Sequence, residues 1–165
     1  MRKIFLVIII GILALTGCGR AKSTGFLKLS GISFDADIYY NDSHYTVLCD
    51  IDGEKNITAK IVSPENLKDL TFKYVNSDFR IELGDIKIDD VDLYFDKSFL
   101  IKSLINIIEN SDGKPFSSSK KNCRFSGKTA GNRYNLTVSP GGLPITLQIP
   151  DCKLKIIFNN LRLTA

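Results

Sequence analysis

Apolar and polar residues alternate one by one through most of the first half of the chain. The alternation runs through Ile32–Ile38, returns in Tyr45–Ile51 after a short polar turn, and resumes at 57–62 after Asp52-Gly53. Two further alternating stretches follow, at 70–75 and 79–83. Successive side chains of a β-strand point to opposite faces, so this period of two indicates strands with one buried and one wet face. The chain therefore begins as a meander of about five or six antiparallel strands.

One segment breaks this pattern. In residues 97–110 the apolar positions are 100, 101, 104, 105, 107 and 108, which gives a helix a wide apolar stripe, and Asp96 can cap its start. Too few polar residues remain for a free surface helix, and strand signals resume at Cys123. We therefore predict an α+β fold, a single curved antiparallel sheet or incomplete β-barrel with the apolar helix packed on its concave face. No domain boundary is visible between residues 31 and 165.

The N-terminus carries a targeting signal. Arg2 and Lys3 precede the uncharged apolar run Ile4–Thr16, which is too short to span a bilayer comfortably and is typical of a signal peptide. The next residues, Leu15-Thr16-Gly17-Cys18, resemble the lipobox of bacterial lipoproteins. This resemblance implies a signal peptide over 1–17, a mature chain that begins at a lipid-modified Cys18, and a tether over 18–30. We expect a lipid anchor on the extracytoplasmic face of the cell membrane.

The charge balance argues against nucleic acid. Removing residues 1–17 takes away Arg2 and Lys3, which leaves 20 basic and 18 acidic residues and lowers the net charge from +4 to +2. A nearly neutral domain lacks the electrostatic footprint of a nucleic-acid-binding protein. The absence of Trp together with many Ile, Lys and Asn residues favours a low-GC Gram-positive host.

Three cysteines remain after Cys18. Outside the cytoplasm a disulfide is permitted, and Cys123 and Cys152 each lie beside a predicted strand, so we predict a bridge between them. It would close a loop of about 30 residues, worth roughly 3–4 kcal/mol. Cys49 shares a strand face with apolar residues and is interpreted as a small buried hydrophobe. No cysteine or histidine spacing fits a metal site.

Motifs of catalysis are missing. The chain has no nucleophile elbow, no Gly-rich phosphate loop and no zinc-protease helix, and its one histidine, His44, falls in a predicted hairpin turn. We therefore expect a protein that is not an enzyme and needs no cofactor.

The order of lipobox, strand meander, apolar helix and closing strands resembles the LolA/LolB superfamily of lipoprotein-localisation factors. The likeness is carried by Ile32–Ile38, by residues 61–74, and near the end by Gly142–Leu147 and Leu154–Asn160. It is closest to Gram-positive members, including the clostridial spore-germination lipoprotein. The resemblance implies an incomplete barrel closed by helices, with a hollow that holds acyl chains or a lipidated partner.

The expected ligand is therefore a lipid or another hydrophobic molecule. The residues predicted to line the hollow are Phe34, Ile38, Phe72, Tyr74, Phe79, Ile81, Leu104 and Ile108. The same residues would fill an ordinary solid core, and the sequence leaves both possibilities open. The alternative function is a non-catalytic lipoprotein that partners a cell-envelope or spore-germination protein.

Overall fold

A computed structural model describes residues 23–76, 78–89, 98–118, 122–129 and 131–164. These residues form twelve strands, one α-helix, α1 (Ser98–Ser111), and two short 3-10 helices, Glu65–Leu67 and Pro150–Cys152. The strands are β1 (Ser23–Phe26), β2 (Ile32–Tyr40), β3 (Ser43–Ile51), β4 (Ile57–Ser63), β5 (Thr71–Val75), β6 (Asp78–Leu83), β7 (Ile86–Asp89), β8 (Pro115–Ser118), β9 (Cys123–Thr129), β10 (Asn132–Val138), β11 (Pro144–Ile149) and β12 (Leu154–Leu163).

Ten of these strands form one antiparallel sheet. Their order is β7-β6-β5-β4-β3-β2-β12-β11-β10-β9, so β12 returns to pair with β2 in the middle. Within the described part of the chain, the end strands β7 and β9 each pair on one side only, and the sheet is unclosed. In the described residues, the prediction is confirmed at the level of one main antiparallel sheet with one short α-helix, and β1 and β8 lie outside that sheet.

The alternation seen in the sequence becomes two faces of the sheet. Cross-strand partners run in one row from Phe34 to Cys49, Ala59, Phe72 and Ile81, all of them buried. We call the face that carries this row the apolar face. The opposite face, which we call the polar face, carries the intervening polar residues of the same strands. A one-residue slip of any strand would exchange the two sets, so burial of the apolar face fixes the register.

The C-terminal end of α1 is fastened to the segment that precedes β2. The Asp112 carboxylate accepts hydrogen bonds from the Leu29 amide and the Ser30 hydroxyl, each at 2.7 Å. One residue later, the Gly113 amide donates to the Leu27 carbonyl at 2.9 Å. The helix bounds agree with the predicted 97–110 to within one residue, and the predicted cap Asp96 lies outside the described residues.

The predicted tether over 18–30 is too long. Residues 23–26 form β1, which pairs with β8 in a separate two-stranded sheet, and β8 arises in a stretch rich in Ser, Gly and Lys that predicts a loop. Leu27 and Leu29 are 1% and 4% exposed and belong to the core. The folded domain therefore includes residues from Ser23 onward, because two leucines and a strand pairing hold this segment in place.

The predicted disulfide between Cys123 and Cys152 is wrong. Cys123 lies opposite Val138, at one end of β10, whereas Cys152 follows Asp151, whose carboxylate accepts the Arg133 amide near the other end. Positions 133 and 138 of a strand are about 16 Å apart, and a disulfide needs Cα atoms within about 7 Å. Neither thiol takes part in a disulfide.

Candidate functional site

Two small cavities lie where α1 meets the apolar face of the sheet. The first has a volume of about 10 Å³ and the second about 30 Å³, and Phe34, Leu104 and Phe158 line both. Every described residue around them is apolar, with α1 contributing Leu104, Ile107 and Ile108. Among the described residues of α1, only Leu104 lines both cavities, and its side chain is half-buried.

Four of the eight predicted lining residues border these cavities. Phe34 and Leu104 border both, Ile108 borders the first, and Ile38 borders the second. The remaining four lie on β5 and β6, further along the apolar face, and border neither: Phe72, Tyr74, Phe79 and Ile81. There the rings of Phe72 and Phe79 stack with their centroids 6.2 Å apart.

The cavities are far smaller than a ligand site. Pockets for small molecules span roughly 300–1,000 Å³, whereas these hold about 10 and 30 Å³. In this structure the predicted lining residues pack as a core, with Phe34 and Phe158 in edge-to-face contact at a centroid distance of 5.0 Å. Neither cavity is large enough to hold a ligand in this structure.

A tyrosine joins the end of α1 to the sheet. The hydroxyl groups of Tyr134 and Ser111 are hydrogen-bonded at 3.0 Å in a buried position. The Tyr134 ring lies directly over Gly127 on the neighbouring strand β9, where a Cβ atom would come within 2.6 Å of the ring. Gly127 thus leaves the space that the ring occupies, and these contacts together with those of Asp112 hold the C-terminal end of α1, which we call the fixed end.

A larger cavity than these two lies on the other side of the sheet, where the sequence predicts only solvated side chains. This groove has a volume of about 450 Å³ and crosses four neighbouring strands, β4, β3, β2 and β12. Its lining residues are Ser33, Phe34, Asp35, Leu48, Cys49, Asp50, Thr58, Lys60, Asn160 and Arg162. We call it the polar-face groove. Its members come from four separate strands, so no motif in the sequence could bring them together.

Cys49 lies beneath this groove, and its thiol has low reactivity. Burial, with a smaller contribution from the neighbouring Asp50 carboxylate, raises the pKa of the Cys49 thiol to about 12. The thiol therefore stays protonated at neutral pH and is a poor nucleophile. The prediction that Cys49 is a small buried hydrophobe is confirmed.

Two further observations bear on ligands and anchoring. Among the described residues, no three His, Cys, Asp or Glu side chains are placed to hold a metal ion, and none of the described helices has the length and apolar character to cross a membrane. Cys18, the predicted lipidation site, lies outside the described residues.

No family model, curated protein or solved structure matches this chain.

Proposed function

We propose that this protein is an extracytoplasmic lipoprotein, anchored through Cys18, that binds the apolar chain of a lipid or lipidated partner beneath α1. In this proposal the sheet is curved and α1 covers its concave face, as the resemblance to the LolA/LolB superfamily implies. The lipobox-like segment Leu15-Thr16-Gly17-Cys18 supports the anchor. The apolar surroundings of α1 support the ligand class.

The observation that carries the proposal is the pair of cavities that share Leu104 in their linings. The described residues that line them are all apolar, so joining the cavities would create a hollow in which none of these side chains needs a polar partner. An acyl chain gains about 0.8 kcal/mol for each CH₂ group that it buries. A chain of several carbons could therefore compensate for the loss of the packing between α1 and the sheet.

The hydrogen bonds at the end of α1 define how it would move. Asp112 and the Ser111–Tyr134 pair hold the C-terminal end, and Leu104 lies about two turns earlier in the helix. An outward swing about this fixed end would lift Leu104 out of the lining that the two cavities share. The motion would need no change in the ten-stranded sheet.

The first test is binding of a fluorescent fatty acid to residues 18–165 with Cys18→Ser. We expect Leu104→Ala to bind about tenfold more tightly than the parent chain, because it joins the two cavities without an outward swing. Leu104→Trp should fill the space and abolish binding. Circular dichroism of each variant would verify that the fold is retained.

Val62→Ala is the control for this test. Val62 is 38% exposed on the polar face, so truncation there should leave fatty-acid binding unchanged. The proposal fails if neither the parent chain nor Leu104→Ala binds the fatty acid. It must also be abandoned if mass spectrometry finds no lipid in extracts of the purified protein.

A second candidate function, a non-catalytic partner of an envelope protein, is favoured by the β6–β7 end of the sheet. Leu83, Ile86 and Ile88 are exposed there by 45%, 62% and 52%, and all three lie on the apolar face. A cluster of exposed apolar side chains at a sheet edge is typical of an interaction surface.

Crosslinking in intact cells tests this candidate. The double variant Ile86→Lys/Ile88→Lys should lose a crosslinked protein that the parent chain captures, because two charges would be buried in the contact. Lys87→Ala on the same strand is the control, and it should retain the partner. Recovery of lipid alone from the parent chain would contradict this candidate and favour the first.

A further inference from the structure

The polar-face groove has the size of a ligand site. Its volume of about 450 Å³ falls inside the range of roughly 300–1,000 Å³ that is typical of small-molecule pockets. Its lining is charged, whereas the lining of the cavities beneath α1 is apolar. The groove contains two carboxylates, Asp35 and Asp50, and two cations, Lys60 and Arg162.

Strand register arranges these residues in two rows. In the first row Thr58, Asp50, Ser33 and Arg162 are successive cross-strand partners on β4, β3, β2 and β12. Neighbouring strands are about 4.8 Å apart, so Asp50 and Arg162 are about 10 Å apart at their Cα atoms, with Ser33 between them.

The second row lies two residues further along each strand. Here Lys60 pairs with Leu48, and Leu48 pairs with Asp35. Asp35 and Asp50 are therefore diagonal neighbours on adjacent strands, where like charges repel each other. A cation placed between the two carboxylates would remove this repulsion.

A β-bulge shapes the β12 side of the groove. The register between β12 and β2 shifts between Asn159 and Arg162, and Asn160 adopts a left-handed conformation with φ of 49°. The Asn160 side-chain amide donates to one Asp35 carboxylate oxygen at 2.6 Å. Bulges redirect side chains and occur often beside binding sites. Here the bulge holds Asp35 in place and leaves its second oxygen available.

The four charged side chains of the groove differ in the ion pairs and hydrogen bonds that they already form. Lys60 is paired with Asp69 at 2.8 Å, on the outer rim of the groove. No hydrogen bond or ion pair of the Asp50 carboxylate or the Arg162 guanidinium is found among the described residues. An available anion and an available cation thus face the same groove, separated by the hydroxyl-bearing Ser33.

We propose that the polar-face groove binds a small zwitterion in which a short chain joins a primary amine to an anionic group. The ammonium lies between Asp35 and Asp50, the chain crosses Ser33, and the anion contacts Arg162. Leu48, which is exposed in the groove, packs against the methylene groups of the ligand. Two sources share this chemistry, the headgroup of a phosphatidylethanolamine lipid and a free amino acid.

The test is a titration followed by amide chemical shifts, with glycerophosphoethanolamine and β-alanine as the two ligands. We expect shifts at residues 33–35, 48–50 and 160–162, with a dissociation constant of about 1 mM. Glycerol phosphate and ethanolamine each carry only one of the two charges and should bind about tenfold more weakly. Tighter binding of glycerophosphoethanolamine identifies a lipid headgroup, and tighter binding of β-alanine identifies a free amino acid.

Two variants decide whether the named charges are responsible. Asp50→Asn and Arg162→Gln should each weaken binding about threefold to tenfold, the range for charge-assisted contacts at an exposed site. Asp42→Asn in the β2–β3 turn and Arg124→Gln on β9 are matched controls that should leave binding unchanged. Equal binding by all four variants, equal binding of the single-charge ligands, or no shifts at about 50 mM ligand would overturn the proposal.

Discussion

Gly127→Ala is expected to lower the free energy of unfolding by about 2–3 kcal/mol, although it adds only one methyl group. The new Cβ would lie within 2.7 Å of three atoms at the hydroxyl end of the Tyr134 ring. The ring cannot simply turn away, because it is buried and its hydroxyl is bonded to Ser111 at the end of α1. The substitution would therefore disturb the sheet, the ring and the fixed end of the helix together.

Urea unfolding measured by circular dichroism tests this expectation. Gly53→Ala is the matched control, since nothing lies within 4 Å of a Cβ at that position and its backbone is not in the left-handed region. We expect the control to change stability by less than about 0.5 kcal/mol. Equal midpoints for the two variants would mean that the Tyr134 ring does not depend on the space left by Gly127.

Ile108→Ala should cost about 2–5 kcal/mol, the range for truncating a fully buried isoleucine. Ile108 is 1% exposed and borders the smaller of the two cavities beneath α1. Its truncation removes apolar contacts from the helix and enlarges a space that cannot collapse, because the strands around it are held by the register of the sheet. Both effects lower the stability of the folded state.

Ile86→Ala applies the same chemical change at a position that is 62% exposed, and it should alter stability by less than about 0.5 kcal/mol. Thermal unfolding of both variants beside the parent chain gives the comparison. If Ile108→Ala lowered stability as little as Ile86→Ala does, the packing of α1 would contribute little to the stability of the core.

Patterns within one element were sufficient to predict most of the sheet and the helix. The alternation in Tyr45–Ile51 predicted β3 to within two residues, and the apolar stripe of residues 97–110 predicted α1 almost to its ends. Both signals depend on neighbours in sequence, through a period of two for strands and 3.6 for helices. Burial of the alternating residues then selects one register.

The features that sequence reasoning missed depend on partners far apart in the chain. β1 and β8 have only four residues each, too few for a clear period, and each is held by the other across about ninety residues. β12 continues through a bulge at Asn160 to Leu163, and the bulge depends on pairing with β2 rather than on the sequence pattern of β12 alone. The disulfide was expected from proximity in sequence to strands, without the strand order that separates Cys123 from Cys152.

The two candidate sites also differ in how far the sequence alone could predict them. Phe34, Leu104 and Ile108 could be predicted as neighbours because each lies on the apolar side of its own element. The polar-face groove could not, since it requires the pairing of β12 with β2, which joins residues more than 120 positions apart. Within any single strand, the charged residues of the groove cannot be distinguished from ordinary solvated side chains.

The pairing of β1 with β8 also determines which part of the domain would first bear a force applied through the proposed lipid anchor. With Cys18 as the lipidated residue proposed above, only five peptide units precede Ser23, a reach of at most about 18 Å. A pull from the bilayer would load β1 first and then Leu27, which is hydrogen-bonded to Gly113 and Lys114 just beyond α1. Anchor and helix are thus mechanically in series, so tension on the lipid would reach the fixed end of α1 before it reached the ten-stranded sheet.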